Sequence, residues 1–366
     1  MLFSIHFLCG WFLVWGALYG LYLLSRIGGI IIHKEGLKLK KALVFLVLSA
    51  FMITATFSMK HIGITAIVEH PALESVRQGI LDQLANYGMI QGEHYKEFYE
   101  TAQGDMNRAT SIAQQFSSSK LDLVVGISTP SAQALANTIQ DLPVVFSAVT
   151  DPVSASLVEK LGINSSNVVG ISDMAPVETQ IQLMKEITPQ SERVGIIYNP
   201  EEANSVFITE AARTACGKLG LSLIEIRGSS PSEMISALDA VVEDLDFLYI
   251  GKDNMAASII SAIGQIAEAS NIPIMAGAIS LAKEVGIAGL AFDDYSVGLE
   301  TGRLVYQILQ GVSPSHLESR VLSADFLILY INLDRAQAMG IEIPDHVLVQ
   351  ADRITQNGHE KGLEDR

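Results

Sequence analysis

Short apolar runs separated by helical segments fill the chain from His61 onward, the alternation expected of βαβ units and parallel sheets. His61-Ile-Gly-Ile-Thr-Ala-Ile-Val68 reads as a strand, and Ala72 to Tyr87 as a helix closed by Gly88. Asp122-Leu-Val-Val-Gly-Ile127 reads as a second strand, followed by a helix from Ser131 to Thr138. Leu142-Pro-Val-Val-Phe-Ser147 reads as a third. About 130 residues later the pattern restarts. Arg193-Val-Gly-Ile-Ile-Tyr198 matches the first strand, and its helix closes at Leu219-Gly220. Asp246-Phe-Leu-Tyr-Ile-Gly251 matches the second strand and Asn271-Ile-Pro-Ile-Met275 the third. Three strands recurring in order predict an α/β chain of two duplicated lobes.

The first 60 residues follow a different pattern. An apolar stretch from Ile5 to Ile32, broken by Arg26, is long enough to span a bilayer. A second, Ala42 to Phe57, follows Lys38, Lys40 and Lys41 and leads into small polar residues, the layout of a secretory signal cleaved near Ala55 to Ser58. On that reading translation starts just before Leu37; the rival is a pair of membrane helices that anchors the protein to the inner membrane. The lysines between the two stretches keep that loop cytoplasmic, so either arrangement exports everything after Phe57. The expected compartment is therefore the periplasm. His6-Phe7-Leu8-Cys9 is not a lipobox, which argues against a lipid anchor.

Composition sharpens this division. A chain of 366 residues calls for two domains. Its mean hydropathy of +0.33 is high for a soluble protein, and the excess lies before residue 60. Beyond Lys60 the chain holds 18 basic against 39 acidic residues, a net of −21. Such a surface repels phosphate backbones and argues against nucleic acid as a partner. Cys9 lies in an apolar stretch and Cys216 in a helix, so the body has no internal disulfide, and no Cys/His cluster suggests a metal.

Parallel sheets bind ligands beyond the carboxyl ends of their strands, where helix N-termini present free amides. In the first lobe those positions hold Glu69-His70-Pro71, Ser128-Thr129-Pro130-Ser131 and Ala148-Val149-Thr150-Asp151-Pro152. In the second they hold Asn199 to Ser205, Lys252-Asp253-Asn254 and Gly277-Ala278. A zwitterionic amino acid would find carboxylate donors in Ser128, Thr129 and the amides opening the Ser131 helix, and an ammonium partner in Asp151 or Asp253. Each residue also has an ordinary structural role. Ser128, Asn199 and Asn254 most often only cap a helix, Asp151 before a proline only turns the chain, and His70 is more often a structural hydrogen bonder. Glu69 and Asp253 suit a solvated face as well as a ligand. The weight lies in polar clusters following strands in both lobes.

Catalytic patterns are absent. His70, Ser128 and Asp151 are the residue types of a hydrolytic triad, but no Gly-x-Ser-x-Gly elbow presents a nucleophile. There is no Gly-x-Gly-x-x-Gly after the first strand and no Walker A motif, so no cofactor is expected. Asp293 and Asp294 point in alternate directions on an extended chain and do not form a carboxylate couple. The expectation is a binding protein, not an enzyme.

A resemblance runs through these same residues. Ile64-Thr-x-Ile-Val-Glu-His-Pro-Ala-Leu73, Ala102-Gln-Gly-Asp105, Ser128-Thr-Pro-Ser-Ala-Gln133 and Phe146-x-Ala-Val-Thr-Asp-Pro152 come first. Gly170-Ile-Ser-Asp173, Tyr198-Asn, Glu202-Ala-Asn-Ser205, Lys252-Asp-Asn254 and Phe292-Asp-Asp-Tyr295 with Gly298 and Thr301-Gly302 follow. Over residues 61–342 the chain resembles the substrate-binding proteins of the tryptophan/tyrosine-type ABC transporter family. The resemblance implies a type I periplasmic-binding-protein fold: two Rossmann-like lobes with parallel sheets joined by three hinge crossings, near Ser172 to Pro176, Gly289 to Asp294 and Val321 to Phe326. The lobes would then comprise 61–173 with 290–322 and 176–288 with 325–350, leaving 1–58 as the hydrophobic region and 351–366 as a polar tail. It also implies a ligand like tryptophan, tyrosine or phenylalanine, an ABC permease as partner, and a monomer. The cleft residues carried over are Glu69, Ser128, Thr129, Thr150, Asp151, Ser172, Asp173, Asn199, Asn204, Ser205, Asp253, Asn254 and Asp293. The alternative role is a membrane-tethered sensor using the same lobes.

Overall fold

A computed structural model describes residues 59–362. The expectations for residues 1–58, and residues 363–366 of the tail, lie outside the described residues. In chain order the first lobe contains β1 (Lys60–Ala66), α1 (Pro71–Asn86), β2 (Tyr95–Thr101), α2 (Met106–Ser118), β3 (Leu123–Ile127), α3 (Thr129–Thr138), β4 (Val144–Val149), β5 (Gly162–Ile163) and β6 (Val168–Ser172). The second contains α4 (Val177–Ile187), β7 (Arg193–Tyr198), α5 (Ala203–Leu219), β8 (Ser222–Arg227), α6 (Pro231–Asp239), β9 (Phe247–Ile250), α7 (Asn254–Ser258), α8 (Ile260–Ala269), β10 (Ile274–Ala276), α9 (Ile279–Val285) and β11 (Ala288–Phe292). The chain then returns through α10 (Asp294–Leu309) and β12 (Glu318–Val321) before β13 (Leu327–Asn332), α11 (Leu333–Ala338), α12 (Asp345–Gln350), β14 (Arg353–Gln356) and β15 (His359–Gly362).

One sheet runs β2-β1-β3-β4-β6-β12-β5 and the other β8-β7-β9-β10-β11-β13-β14-β15. The shared order is the duplication expected from the repeat. Ile62, Ile64, Leu123, Val124 and Val125 are fully buried because helices cover both sheet faces, which is why these strands read as continuous apolar runs. β2 and β8 were not among the expected strands. Both lie at sheet edges, where Tyr-Lys-Glu-Phe-Tyr-Glu-Thr and Ser-Leu-Ile-Glu-Ile-Arg mix charged with apolar side chains.

Helix ends follow local chemistry. His70 caps α1, whose first residue is Pro71, and Gly220 closes α5 in the left-handed region at φ 68°. α10 leaves the second sheet and packs across α1 at two glycines. A Cβ on Gly298 would stand 2.1 Å from the Val76 carbonyl oxygen, and one on Gly79 would stand 2.3 Å from that of Tyr295. The helices meet there without side chains between them.

The chain passes between sheets three times, at residues 173–176, at Asp293 and at residues 322–326. Main-chain bonds bind these passages together: Leu322 N donates to Ser172 O and Asp293 N to Phe326 O. The second passage is shorter than expected. Gly289 and residues 290–292, expected in a crossing and in the first lobe, are strand residues of the second sheet, registered against β13. The C-terminal segment also differs from a polar tail. β14 pairs with β13, and β15 folds back on it through Asn357-Gly358, both at positive φ as a tight hairpin turn requires.

Candidate functional site

Where the carboxyl ends of both sheets face each other lies a cavity with about 530 Å³ of empty space, part of it continuous with solvent. The first lobe lines it with Val68, His70, Ala72, Leu73, Ser128, Thr129, Ala148 and Thr150. The second contributes Asn204, Lys252, Asp253, Asn254, Ala257, Ala278 and Leu281, and the crossings contribute Asp173 and Asp294.

The first lobe's wall is made by backbone held in unusual conformations. Ser128 sits at φ 78° and Ala148 at φ 53°, and the β4–β6 register shifts between Ser147 and Val149. Non-glycine residues occupy this region only where surrounding structure enforces it. At Ser128 the consequence is direct. It occupies the cap position of α3 without a side-chain cap bond, so its Oγ stays unused by the helix. Ser128 Oγ and Thr129 Oγ1 are buried without partners among the described residues, as is Ser131 Oγ behind them. They cluster at a helix N-terminus, whose first amides have no intrahelical acceptors and favour an anion.

The second lobe's wall is bonded to itself instead, save at Asn204 Oδ1. Asp253 accepts from Asn199 N through Oδ2 and from Ala256 N through Oδ1, both at 2.6 Å. Glu202 accepts from Asn204 Nδ2 at 3.1 Å, from Asn254 N at 3.2 Å and from Asn254 Nδ2. Burial, then the facing Asp253 carboxylate, pushes the Glu202 carboxyl up to about 7, against the pull of the asparagine donors. Burial likewise raises Asp253.

Between the walls lies an ion cluster. Lys252 Nζ pairs with Asp173 Oδ2 and stands 3.9 Å from Asp294 Oδ1. Burial disfavours its ammonium, but the two carboxylates outweigh that and raise its pKa. Burial pushes Asp294 up to about 7, opposed by Lys252 and reinforced by Asp173 and Asp293. Asp173 Oδ1 and Asn204 Oδ1 are buried acceptors without partners among the described residues.

Seven of the expected residues thus meet at the cavity: Ser128, Thr129, Thr150, Asp173, Asn204, Asp253 and Asn254. The other six stand off it. Asp151 turns the chain, accepting from Val153 N at 2.9 Å and Ser154 N at 2.7 Å. Asp293 caps α10 through Ser296 N and Oγ. Ser172 Oγ donates to Thr150 O at 2.8 Å, Asn199 Oδ1 accepts from Glu201 N, and Ser205 Oγ meets Asn204 Nδ2. Glu69 lines a neighbouring hollow with Gln103 and Glu202. Lys252 and Asp294 were not anticipated as site residues; each sits beside an aspartate that drew the attention, Asp253 and Asp293. His70 has both roles weighed for it, since Nδ1 accepts from Ala72 N at 3.2 Å while the ring lines the cavity.

Residues 61–355 match the family of ABC transporter substrate-binding proteins. The chain belongs to that family. A tyrosine-binding protein of Clostridioides difficile is 33% identical over 289 residues, which cover 79% of this chain and 83% of the relative. An ABC domain from Streptococcus pneumoniae in complex with L-Trp is 32% identical at a TM-score of 0.78, covering 81% of this chain and all of that one. The ligand-free, open structure of a Clostridium difficile substrate-binding protein with adhesive properties is 35% identical and covers 78% of this chain and 97% of that one, yet has a TM-score of 0.59. At comparable identity this substrate-binding protein is more similar in overall structure to the ligand-bound relative than to the open one. Its family is extracytoplasmic and serves ABC transporters. Among the described residues no helix is long and apolar enough to cross a membrane.

Proposed function

We propose that this substrate-binding protein captures an aromatic α-amino acid between its lobes and presents the closed form to an ABC permease, from the periplasmic side of the membrane. The observation that carries the reading is a set of four buried polar atoms around one cavity that have no partner among the described residues: Ser128 Oγ, Thr129 Oγ1, Asp173 Oδ1 and Asn204 Oδ1. Buried polar groups are normally satisfied, so such a set marks where a ligand's polar groups belong. Two hydroxyls at a helix N-terminus suit a carboxylate, and two acceptors beside the Lys252 cluster suit an ammonium. Aliphatic side chains of both lobes, Val68, Leu73, Ala257 and Leu281, supply the surface for a ring. The tyrosine-binding and L-Trp-bound relatives support the same ligand class. Binding needs no chemistry. A ligand touching both lobes favours the closed state by its differential affinity.

Titration calorimetry of the exported body with the twenty amino acids tests this. Stoichiometric binding of tyrosine, tryptophan or phenylalanine, with no binding of acidic or basic amino acids, is the expected result. Binding confined to non-aromatic compounds would refute the ligand class.

A further inference from the structure

His70 bears on which aromatic side chain is preferred. Its ring lines the cavity together with Ala72 and Leu73, which begin α1, and Leu281 of the second lobe. Nδ1 accepts the Ala72 amide hydrogen, which assigns the proton of a neutral imidazole to Nε2. Burial holds the imidazole below its ordinary pKa, with Glu284 opposing, so the neutral form dominates at physiological pH. Glu284 is itself occupied by Ser261 Oγ. Nε2 takes no protein partner among the described residues. The ring therefore offers the cavity one donor and no acceptor.

We infer that His70 is a specificity-determining residue, whose Nε2–H selects a ligand side chain carrying a hydrogen-bond acceptor: the phenol of tyrosine over the bare ring of phenylalanine and the donor-only indole of tryptophan. This rests on the amino-acid reading of the cleft and deepens it. A site that hydrogen-bonds a substrate hydroxyl discriminates against analogues lacking it, because its donor then goes without that partner.

The test uses the wild-type body and His70→Asn at neutral pH, titrated with L-tyrosine, L-phenylalanine and L-tryptophan. Asparagine keeps an acceptor for the Ala72 amide, so the α1 cap survives, but it cannot reach where Nε2 stood. Wild type is expected to bind tyrosine at least tenfold tighter than phenylalanine or tryptophan, about 1.4 kcal/mol. His70→Asn is expected to bring the three within about twofold, chiefly by weakening tyrosine. Equal wild-type affinities overturn the inference without any variant, and so does a preference that persists in His70→Asn. Failure of wild type to bind any of the three defeats the amino-acid reading itself, and this inference with it.

Discussion

The two lobes share a strand order but build opposite kinds of wall. The first meets the cavity with hydroxyls that its own fold leaves unused, Ser128 and Thr129, on a backbone forced into the left-handed region. The second meets it with Asp253, bonded to helix amides, with Asn254, bonded to Glu202, and with Asn204, whose Oδ1 has no partner among the described residues. One architecture can therefore divide the labour of binding: a face whose hydroxyls wait for ligand atoms, and a face most of whose polar atoms are already bonded within the protein. Polar residues after a strand do not all have the same function, and what separates them is whether neighbouring amides have already claimed the side chain.

The contrast is broken most forcefully at two aspartates. Asp173→Ala removes the free acceptor and unpairs buried Lys252, so affinity for an aromatic amino acid is expected to fall by about 3 kcal/mol. Asp253→Ala leaves the Asn199 and Ala256 amides without acceptors, and its main effect is expected on stability, about 2 kcal/mol. Calorimetry and thermal melts of both variants measure the two effects. If Asp253→Ala loses affinity while keeping its melting temperature, the second wall is not the structural face described here.

Titration sharpens the same contrast. Glu202 is pushed up to about 7 by burial and by Asp253. A carboxylic acid whose folded pKa lies above its unfolded value binds its proton more tightly when folded. Its contribution is therefore present at low pH and lost as pH rises from about 4.5 through 7. Asp294, also near 7, acts in the same direction. His70, lowered by burial, acts the other way below about 6.5. A comparison of wild type with Glu202→Gln isolates the glutamate. The variant is expected to gain roughly 2 kcal/mol on wild type between about pH 5 and pH 8, since each unit of pKa is worth about 1.4 kcal/mol. Parallel stability curves for the two proteins would contradict a buried, proton-holding Glu202.

The sequence announces the central strands because they are buried on both faces and must be apolar throughout. Edge strands announce themselves less: Tyr95–Thr101 and Ser222–Arg227 need only one apolar face, and their charges read as loop. The closing hairpin did carry a signal, Asn357-Gly358, within an otherwise polar segment. In the site, strand-end positions identified where to look, and the resemblance narrowed the set. Neither distinguishes Asp173, with one free oxygen, from Asp151, whose side chain closes a turn, because that depends on which amides the turn brings near. Lys252 was named among the strand-end positions but not carried into the cleft set, because its partners, Asp173 in a crossing and Asp294 at the start of α10, come from distant parts of the chain.

The finest distinction is between two serines that the sequence presents alike, each before a proline-opened helix. Ser230 caps α6, accepting from Glu233 N at 3.3 Å. Ser128 holds the same position before α3 and makes no such bond. Ser230→Ala is therefore expected to cost about 1 kcal/mol of stability and leave ligand affinity unchanged. Ser128→Ala is expected to do the reverse: stability within about 0.5 kcal/mol of wild type, and affinity weaker by about 2 kcal/mol, one hydrogen bond to a charged group. Melting temperature and calorimetric affinity, measured on both proteins, form a two-by-two test with effects on opposite corners. A stability loss in Ser128→Ala would mean that its hydroxyl serves the helix after all, and the carboxylate end of the cleft would then rest on Thr129 and the α3 amides alone.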